Sequence, residues 1–117
     1  MARVLLAEAR TRLALQSRSL DQIQSAITDI NTAKGWLRSG IAVLSISAWA
    51  HAAAAHIASE KGRSDLVPAY LAVAEADGQR LHGYRPNPYA EKYRKLQLAL
   101  FAEMDVTELP PKKVLPP

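Results

Sequence analysis

The chain has 117 residues, of which 49% are hydrophobic, and a formal net charge of +4. This length and composition exclude an intrinsically disordered chain and fit one domain with a modest core. Cysteine is absent, which excludes a disulfide framework, a thiolate metal site and a thiol nucleophile. The basic composition permits contact with nucleic acid or an anionic membrane but requires neither.

From Leu6 to Ile30, mostly apolar side chains alternate three and four positions apart. This is the a/d pattern of a helix that packs lengthwise against other helices. About 25 residues at 1.5 Å each give a rod of roughly 37 Å, which one helix of a small domain cannot bury alone. The pattern therefore predicts a helical partner, either the rest of the chain or a second copy. The predicted oligomerisation residues are Leu6, Leu13, Leu20, Ile23, Ile27 and Ile30.

The pattern predicts a long, coiled-coil-like first helix over residues 1–34, followed by an alanine-rich helix over residues 40–61. Residues 40–58 carry no formal charge, and such a stretch is long enough to span a membrane. However, it contains two histidines, which are costly in hydrocarbon, and alanine contributes little to insertion. We expect a buried helix at the centre of a bundle, with a single membrane span as the alternative.

Two more helices are predicted over residues 65–82 and 88–105. Gly62 is a suitable C-cap for the helix before them, Ser64 is a suitable N-cap, and Pro88 suits a first helical position. No segment has a strand pattern, so the predicted class is all-α, with four helices in one domain over residues 1–108. The proline-rich tail over residues 109–117 is predicted to be extended and to dock a partner, with a frayed terminus as the alternative. Its predicted docking residues are Pro110, Pro111, Lys112 and Lys113.

The sequence has no glycine-rich phosphate loop, no nucleotide-binding fingerprint and no nucleophile elbow. His51 and His56 are five residues apart and so point in different directions on a helix. His56 and Glu60 have the i,i+4 spacing of a metal-ligand pair, but the same spacing is typical of a helix-stabilising pair, which we favour. We therefore expect no catalytic residue, no metal and no cofactor, and we do not expect an enzyme.

The densest group of basic and aromatic residues lies between residues 84 and 95. Cations beside aromatic rings are typical of proteins that hold phosphate backbones or single strands. An ordinary solvated face is the alternative interpretation. The candidate nucleic-acid-binding residues, including one before this group, are Arg63, Arg85, Lys92, Arg94 and Lys95.

A series of short motifs runs from Trp36 to residue 108. They are Trp36-Leu37, Trp49, Gly62-Arg63-Ser64-Asp65-Leu66, Ala69-Tyr70, Gly83, Asn87-Pro88-Tyr89 and Ala102-Glu103-Met104-Asp105-Val106-Thr107. In this order they resemble the landmarks of some phage terminase small subunits. The resemblance implies a ring-forming, non-catalytic adaptor that binds viral double-stranded DNA. It also implies recruitment of the large terminase subunit and modulation of its ATPase and nuclease.

The sequence leaves three functional hypotheses. The first is a homo-oligomeric, DNA-binding adaptor for viral genome packaging in the cytoplasm of a host cell. The second is a single-span accessory subunit of a membrane protein complex. The third is a structural coiled-coil or coat-like assembly protein, in which the charges only maintain solubility.

Overall fold

The computed structural model describes residues 2–37, 40–81 and 88–104. These residues form five α-helices and contain no strand, which confirms the all-α class. In chain order the helices are α1 (Ala2–Ser17), α2 (Leu20–Leu37), α3 (Ile41–Glu60), α4 (Val67–Leu81) and α5 (Pro88–Met104). The predicted tail over residues 109–117 lies outside the described residues.

The single long N-terminal helix of the sequence prediction was wrong, because the chain reverses between α1 and α2. Arg18 adopts a left-handed conformation with φ of 56°, and the Ser19 N–H donates to the Ala14 carbonyl at 3.1 Å. This is the Schellman arrangement that closes helix C-termini. Ser19 then caps α2, since its Oγ accepts the Gln22 N–H at 3.1 Å. The predicted 37 Å rod is therefore a helical hairpin.

Helix α3 is the centre of the fold, and each of the other four helices packs against it. Every residue from Val43 to Ala58 is buried. Alanine and serine allow neighbouring backbones to approach on all sides, which explains why a helix with small side chains occupies this position. The prediction of a buried bundle helix agrees with this arrangement.

Helix α3 is also long and apolar enough to cross a membrane, and 89% of its apolar window is buried. The interpretation as a membrane span would require lipid on faces that four helices of the same chain already cover.

The four outer helices follow one another around α3. Helices α1 and α2 form the hairpin, and the Lys34–Asp77 ion pair joins α2 to α4. The Gln97 side-chain amide donates to the Ala74 carbonyl at 3.1 Å and joins α5 to α4. The Tyr93 hydroxyl donates to Glu8 and so joins α5 to α1.

The direction of each helix follows from these and similar pairs. Arg12 lies over the Trp49 ring and Arg18 pairs with Glu60, so α1 runs parallel to α3. Trp49 contacts Tyr93, and His56 further along α3 contacts Glu103 further along α5, so α5 also runs parallel to α3. Helices α2 and α4 run the opposite way.

The boundaries of α3, α4 and α5 agree with the sequence prediction to within two residues, and α2 ends three residues after the predicted end at residue 34. Gly62 has φ of 76° and ends α3 in a second Schellman arrangement, with the Arg63 N–H donating to the Ala58 carbonyl at 2.8 Å. The predicted glycine cap is confirmed.

The predicted Ser64 N-cap was wrong, because α4 begins three residues later, at Val67. In the turn between them the Val67 N–H donates to the Ser64 carbonyl, and the Leu66 carbonyl accepts the Tyr70 N–H.

Candidate interaction surface

Helix α1 is apolar on two opposite faces. Its inner face carries small side chains, Ala7, Thr11 and Ala14, and all three are 0% exposed. Small residues at this i, i+4, i+7 spacing let α1 lie close to the core. The packing of α1 therefore uses a face that the heptad pattern did not select.

The outer face of α1 carries the large apolar side chains. Leu5, Leu6 and Leu13 are 56%, 42% and 49% exposed, and Ala9 between them is also exposed. These four residues fall within an arc of about 100° on a helix with 100° per residue. We call them the α1 leucine stripe. Gln16, the polar position of the heptad pattern, continues the stripe and is exposed.

The other predicted oligomerisation residues lie on α2. Ile23, Ile27 and Ile30 belong to the core of the chain itself, and Leu20 is partly buried against it. The heptad residues of α2 therefore pack against other helices of the same chain. Of the six predicted residues, Leu6 and Leu13 remain on the surface.

Arginine side chains border the α1 leucine stripe on both sides. Arg10 donates to the Asp29 carboxylate of α2 at 2.7 Å, and 41% of its side chain is exposed. Arg12, on the side of α5, donates to Glu8 at 3.2 Å. Its guanidinium lies 5.2 Å from the centre of the Trp49 ring, a cation–π distance. The borders are thus cationic, and each cation is held in place by its own subunit.

Glu8 is the carboxylate that ties this border to α5. Partial burial by itself raises its pKa, but hydrogen bonds from Tyr93 and Arg12 outweigh that effect and lower the pKa below its ordinary value. Glu8 is therefore ionised at neutral pH. Lys92 lies 5.2 Å from the centre of the Tyr93 ring, so a second cation, after Arg12, lies near the Glu8 carboxylate.

The structure does not gather the predicted nucleic-acid-binding residues into one patch. Lys92 and Lys95 are exposed on α5. Arg63 lies in the turn before α4 and forms a two-bond pair with Asp65, at 3.0 and 3.1 Å. Arg94 is half-buried and donates to Gln97 at 2.8 Å. Arg85 and the four tail residues from Pro110 to Lys113 lie outside the described residues.

A buried polar network joins α2, α3 and α4, and the sequence analysis missed it. Asp77 of α4 is 2% exposed; it accepts hydrogen bonds from the Ser47 hydroxyl and, at 2.9 Å, from Lys34 Nζ. His51 Nδ1 lies 2.8 Å from the Ser47 carbonyl, so its N–H can donate there. Burial lowers the pKa of His51 below its ordinary value.

The Asp77, Ser47 and His51 side chains of this network lie in the core. Ser47 is fully buried; its hydroxyl donates to Asp77, and its Oγ lies 3.2 Å from His51 Nδ1. A signal was present in the sequence, since Asp77 interrupts the apolar face of α4 one turn after Ala74. Its partners lie 30 and 43 residues away, and local spacing does not reveal such pairs.

His56 joins α3 to α5 rather than forming only the predicted pair with Glu60. Its Nε2 lies 2.8 Å from a Glu103 oxygen, and its Nδ1 lies 3.8 Å from a Glu60 oxygen. Within residues 2–37, 40–81 and 88–104, no group of three metal-ligating side chains is placed to hold an ion.

Comparison of the chain with protein-family models, with curated proteins and with solved structures found no match.

Proposed function

We propose that the chain is a non-catalytic adaptor that assembles with itself through α1 and binds DNA through its basic surface. The observation that carries the assembly part is the α1 leucine stripe. Single exposed leucines are common on protein surfaces, but leucines clustered on one helix face are typical of interaction sites. The stripe includes two of the predicted oligomerisation residues, Leu6 and Leu13.

The DNA-binding part is supported by Lys92 and Lys95, which are both exposed on α5. Two lysines give weak affinity on their own. An oligomer would repeat them, and multivalency would then raise the affinity for a long polyanion without new contacts. Assembly and DNA binding are therefore coupled in this proposal.

The resemblance to phage terminase small subunits supports a further role in viral genome packaging. In that role the chain would recruit a large terminase subunit, a motor and nuclease. The predicted docking segment for that partner is the tail over residues 109–117.

Mass measured by light scattering across a range of protein concentrations tests the assembly part. We expect the wild-type chain to be larger than a monomer at micromolar concentration, and Leu6→Ser with Leu13→Ser to be monomeric. Leu98→Ser is the matched control, because Leu98 is 48% exposed but lies on α5. A monomeric wild-type chain, or equal loss of assembly in the control, would contradict the proposal.

Binding to duplex DNA at several salt concentrations tests the other part. We expect Lys92→Gln and Lys95→Gln each to weaken binding and to reduce the slope of log affinity against log salt by roughly 0.9 per lost phosphate contact. Lys61→Gln removes an exposed lysine at the end of α3 and serves as the control. An affinity that does not change with salt would rule out this mode of DNA binding.

A further inference from the structure

Two cations from distant parts of the chain meet beside one carboxylate between α1 and α5. Arg12 of α1 donates to Glu8 at 3.2 Å, and the Tyr93 hydroxyl of α5 also donates to Glu8. The Lys92 ammonium lies 5.2 Å from the centre of the Tyr93 ring, and its charge attracts the Glu8 carboxylate. We call Arg12, Lys92 and Glu8 the α1–α5 cationic cluster. Its two positive charges and one negative charge leave one positive charge in excess.

The fold holds the Arg12 side chain in place while leaving part of it accessible. Its guanidinium lies 5.2 Å from the centre of the buried Trp49 ring, and it is hydrogen-bonded to Glu8 and Tyr93. Nevertheless, 46% of the Arg12 side chain is exposed. A guanidinium has five N–H donors, so the donors not used in these contacts can bind an oxyanion. Because the side chain is already ordered, binding an anion costs little of its conformational entropy.

We infer that the α1–α5 cationic cluster holds one phosphate group of the DNA backbone, with Arg12 and Lys92 as the two donors. This inference rests on the proposed DNA binding and adds a residue of α1 to the interface. A backbone phosphate carries one negative charge, which the excess charge of the cluster neutralises. Lys95 is exposed one turn beyond Lys92 on α5, where it can contact a neighbouring phosphate.

Arg10 provides a matched comparison on the same helix. It faces α2, on the opposite border of the α1 leucine stripe, and donates to Asp29 at 2.7 Å. The side chains of Arg10 and Arg12 are 41% and 46% exposed, and each pairs with a carboxylate. Arg12 lies beside Lys92, whereas Arg10 lies on the other side of α1. Replacing either arginine removes one positive charge from α1, but a single phosphate between α1 and α5 depends on Arg12.

Binding to a duplex of fixed length at several salt concentrations tests the inference. We expect Arg12→Gln to weaken binding and to reduce the slope of log affinity against log salt by roughly 0.9, about as much as Lys92→Gln. The double variant, Arg12→Gln with Lys92→Gln, should also reduce the slope by roughly 0.9 in total, because both side chains hold the same phosphate. Contacts to two separate phosphates would instead reduce it by roughly 1.8.

Two further variants separate a phosphate contact from a change in net charge or fold. Arg12→Lys keeps the charge and should keep the slope but weaken the affinity, since lysine cannot form a two-bond contact. Arg10→Gln should leave the slope unchanged. The loss of affinity in Arg12→Gln should be the same for unrelated DNA sequences, because phosphate contacts carry no sequence information. Circular dichroism checks that each variant has the wild-type helix content.

The outcomes separate this inference from the proposed function. If Arg12→Gln binds DNA as tightly as Arg10→Gln while Lys92→Gln and Lys95→Gln still weaken binding, the inference is overturned and the proposed DNA binding stands. A slope reduced by roughly 1.8 in the double variant would also overturn the shared phosphate. A wild-type chain that does not bind DNA at low salt would overturn both proposals.

Anionic phospholipids carry the same phosphodiester group as DNA. Co-sedimentation with phosphatidylserine vesicles therefore distinguishes the two sources of phosphate. We expect Arg12→Gln and Lys92→Gln to lose affinity for DNA. If they lose affinity for the vesicles and keep their full affinity for DNA, the cluster binds lipid head groups and the inference is overturned.

Discussion

Arg18 and Gly62 occupy the same position in two Schellman motifs, directly after the C-caps of α1 and α3. Both are left-handed, with φ of 56° and 76°. Glycine adopts this conformation freely, whereas any other residue places Cβ too close to its carbonyl oxygen. The left-handed conformation is therefore adopted by an unstrained glycine after α3 and by a strained arginine after α1.

Substitutions at these two positions should have opposite effects. We expect Gly62→Ala to lower the free energy of unfolding by about 1 kcal/mol and Arg18→Gly to raise it by about 0.5 kcal/mol or more, because the first introduces strain and the second removes it. Urea denaturation measures both. Arg18→Ala is the control, since it removes the surface pair with Glu60 but keeps Cβ. Equal stability of Arg18→Gly and Arg18→Ala would argue against strain at this position.

The buried His51 makes stability depend on pH. Burial lowers its pKa in the folded state, with Lys34 adding to this effect and the Ser47 carbonyl and Asp77 opposing it. The unfolded chain therefore binds a proton at this position more readily than the folded chain. Stability should fall as the pH drops below about 6.5, the ordinary pKa of histidine, and should stop falling below the folded pKa.

Thermal or urea denaturation between pH 8 and pH 5 checks this prediction. We expect His51→Gln to be less stable than the wild-type chain at pH 8, and the difference to shrink as the pH is lowered. The other two histidines are common to both proteins and cancel in the comparison. A difference that is constant with pH would mean that His51 does not titrate differently on folding.

At the scale of helices, the heptad pattern of α1 correctly predicted a helix but not the face of that helix that packs against the core. The heptad pattern selected Leu6 and Leu13 because they are large and apolar. The fold instead buries Ala7 and Ala14, which fit close to the crowded α3. Hydrophobic periodicity ranks residues by apolar character and carries no information about the space left between two helices.

A pair of neighbouring substitutions tests this orientation. We expect Ala14→Leu to destabilise the fold by about 1–3 kcal/mol, because it adds volume to a packed site. Leu13→Ala should change stability by less than about 0.5 kcal/mol at concentrations where the chain is monomeric, because that side chain is half exposed. Urea denaturation at low protein concentration measures both. The reverse order of effects would mean that α1 packs on its leucine face.

Helix boundaries were predictable where local chemistry determines them. Gly62 marks the end of α3 to within two residues and Pro88 is the first residue of α5, whereas Ser64 lies three residues before the start of α4. The break between α1 and α2 was missed because the apolar spacing continues across it. Ser19 and Gln22 have the spacing of a capping box and were the available signal.

For the whole molecule, the arrangement of the four outer helices around α3 depends on contacts between residues distant in sequence. The small side chains of α3 and the absence of charge over residues 41–58 favoured a buried central helix over a membrane span. The order of the outer helices depends on pairs such as Lys34–Asp77 and Glu8–Tyr93, which are 43 and 85 residues apart. No local pattern in the sequence reports them.

The Lys34–Asp77 pair should therefore contribute strongly to the unique arrangement of α2, α3 and α4. We expect Asp77→Ala to cost roughly 3 kcal/mol, because it leaves the Ser47 hydroxyl and the partly buried Lys34 ammonium without their acceptor. Asp77→Asn keeps an acceptor oxygen and should cost less. Lys34→Met combined with Asp77→Leu removes both charges and should recover part of the loss, since an apolar pair needs no desolvated charge.

Urea denaturation gives these stabilities. The near-ultraviolet circular dichroism of the aromatic side chains, which include the buried Trp49 and Tyr93, reports the packing order of the core. If the double variant recovers stability but loses that signal, the buried pair specifies one packing of the helices and contributes little to net stability. If the double variant is as unstable as Asp77→Ala, the pair itself stabilises the fold. The second result would make this network, rather than apolar burial alone, the reason that α2 and α4 stay in register around α3.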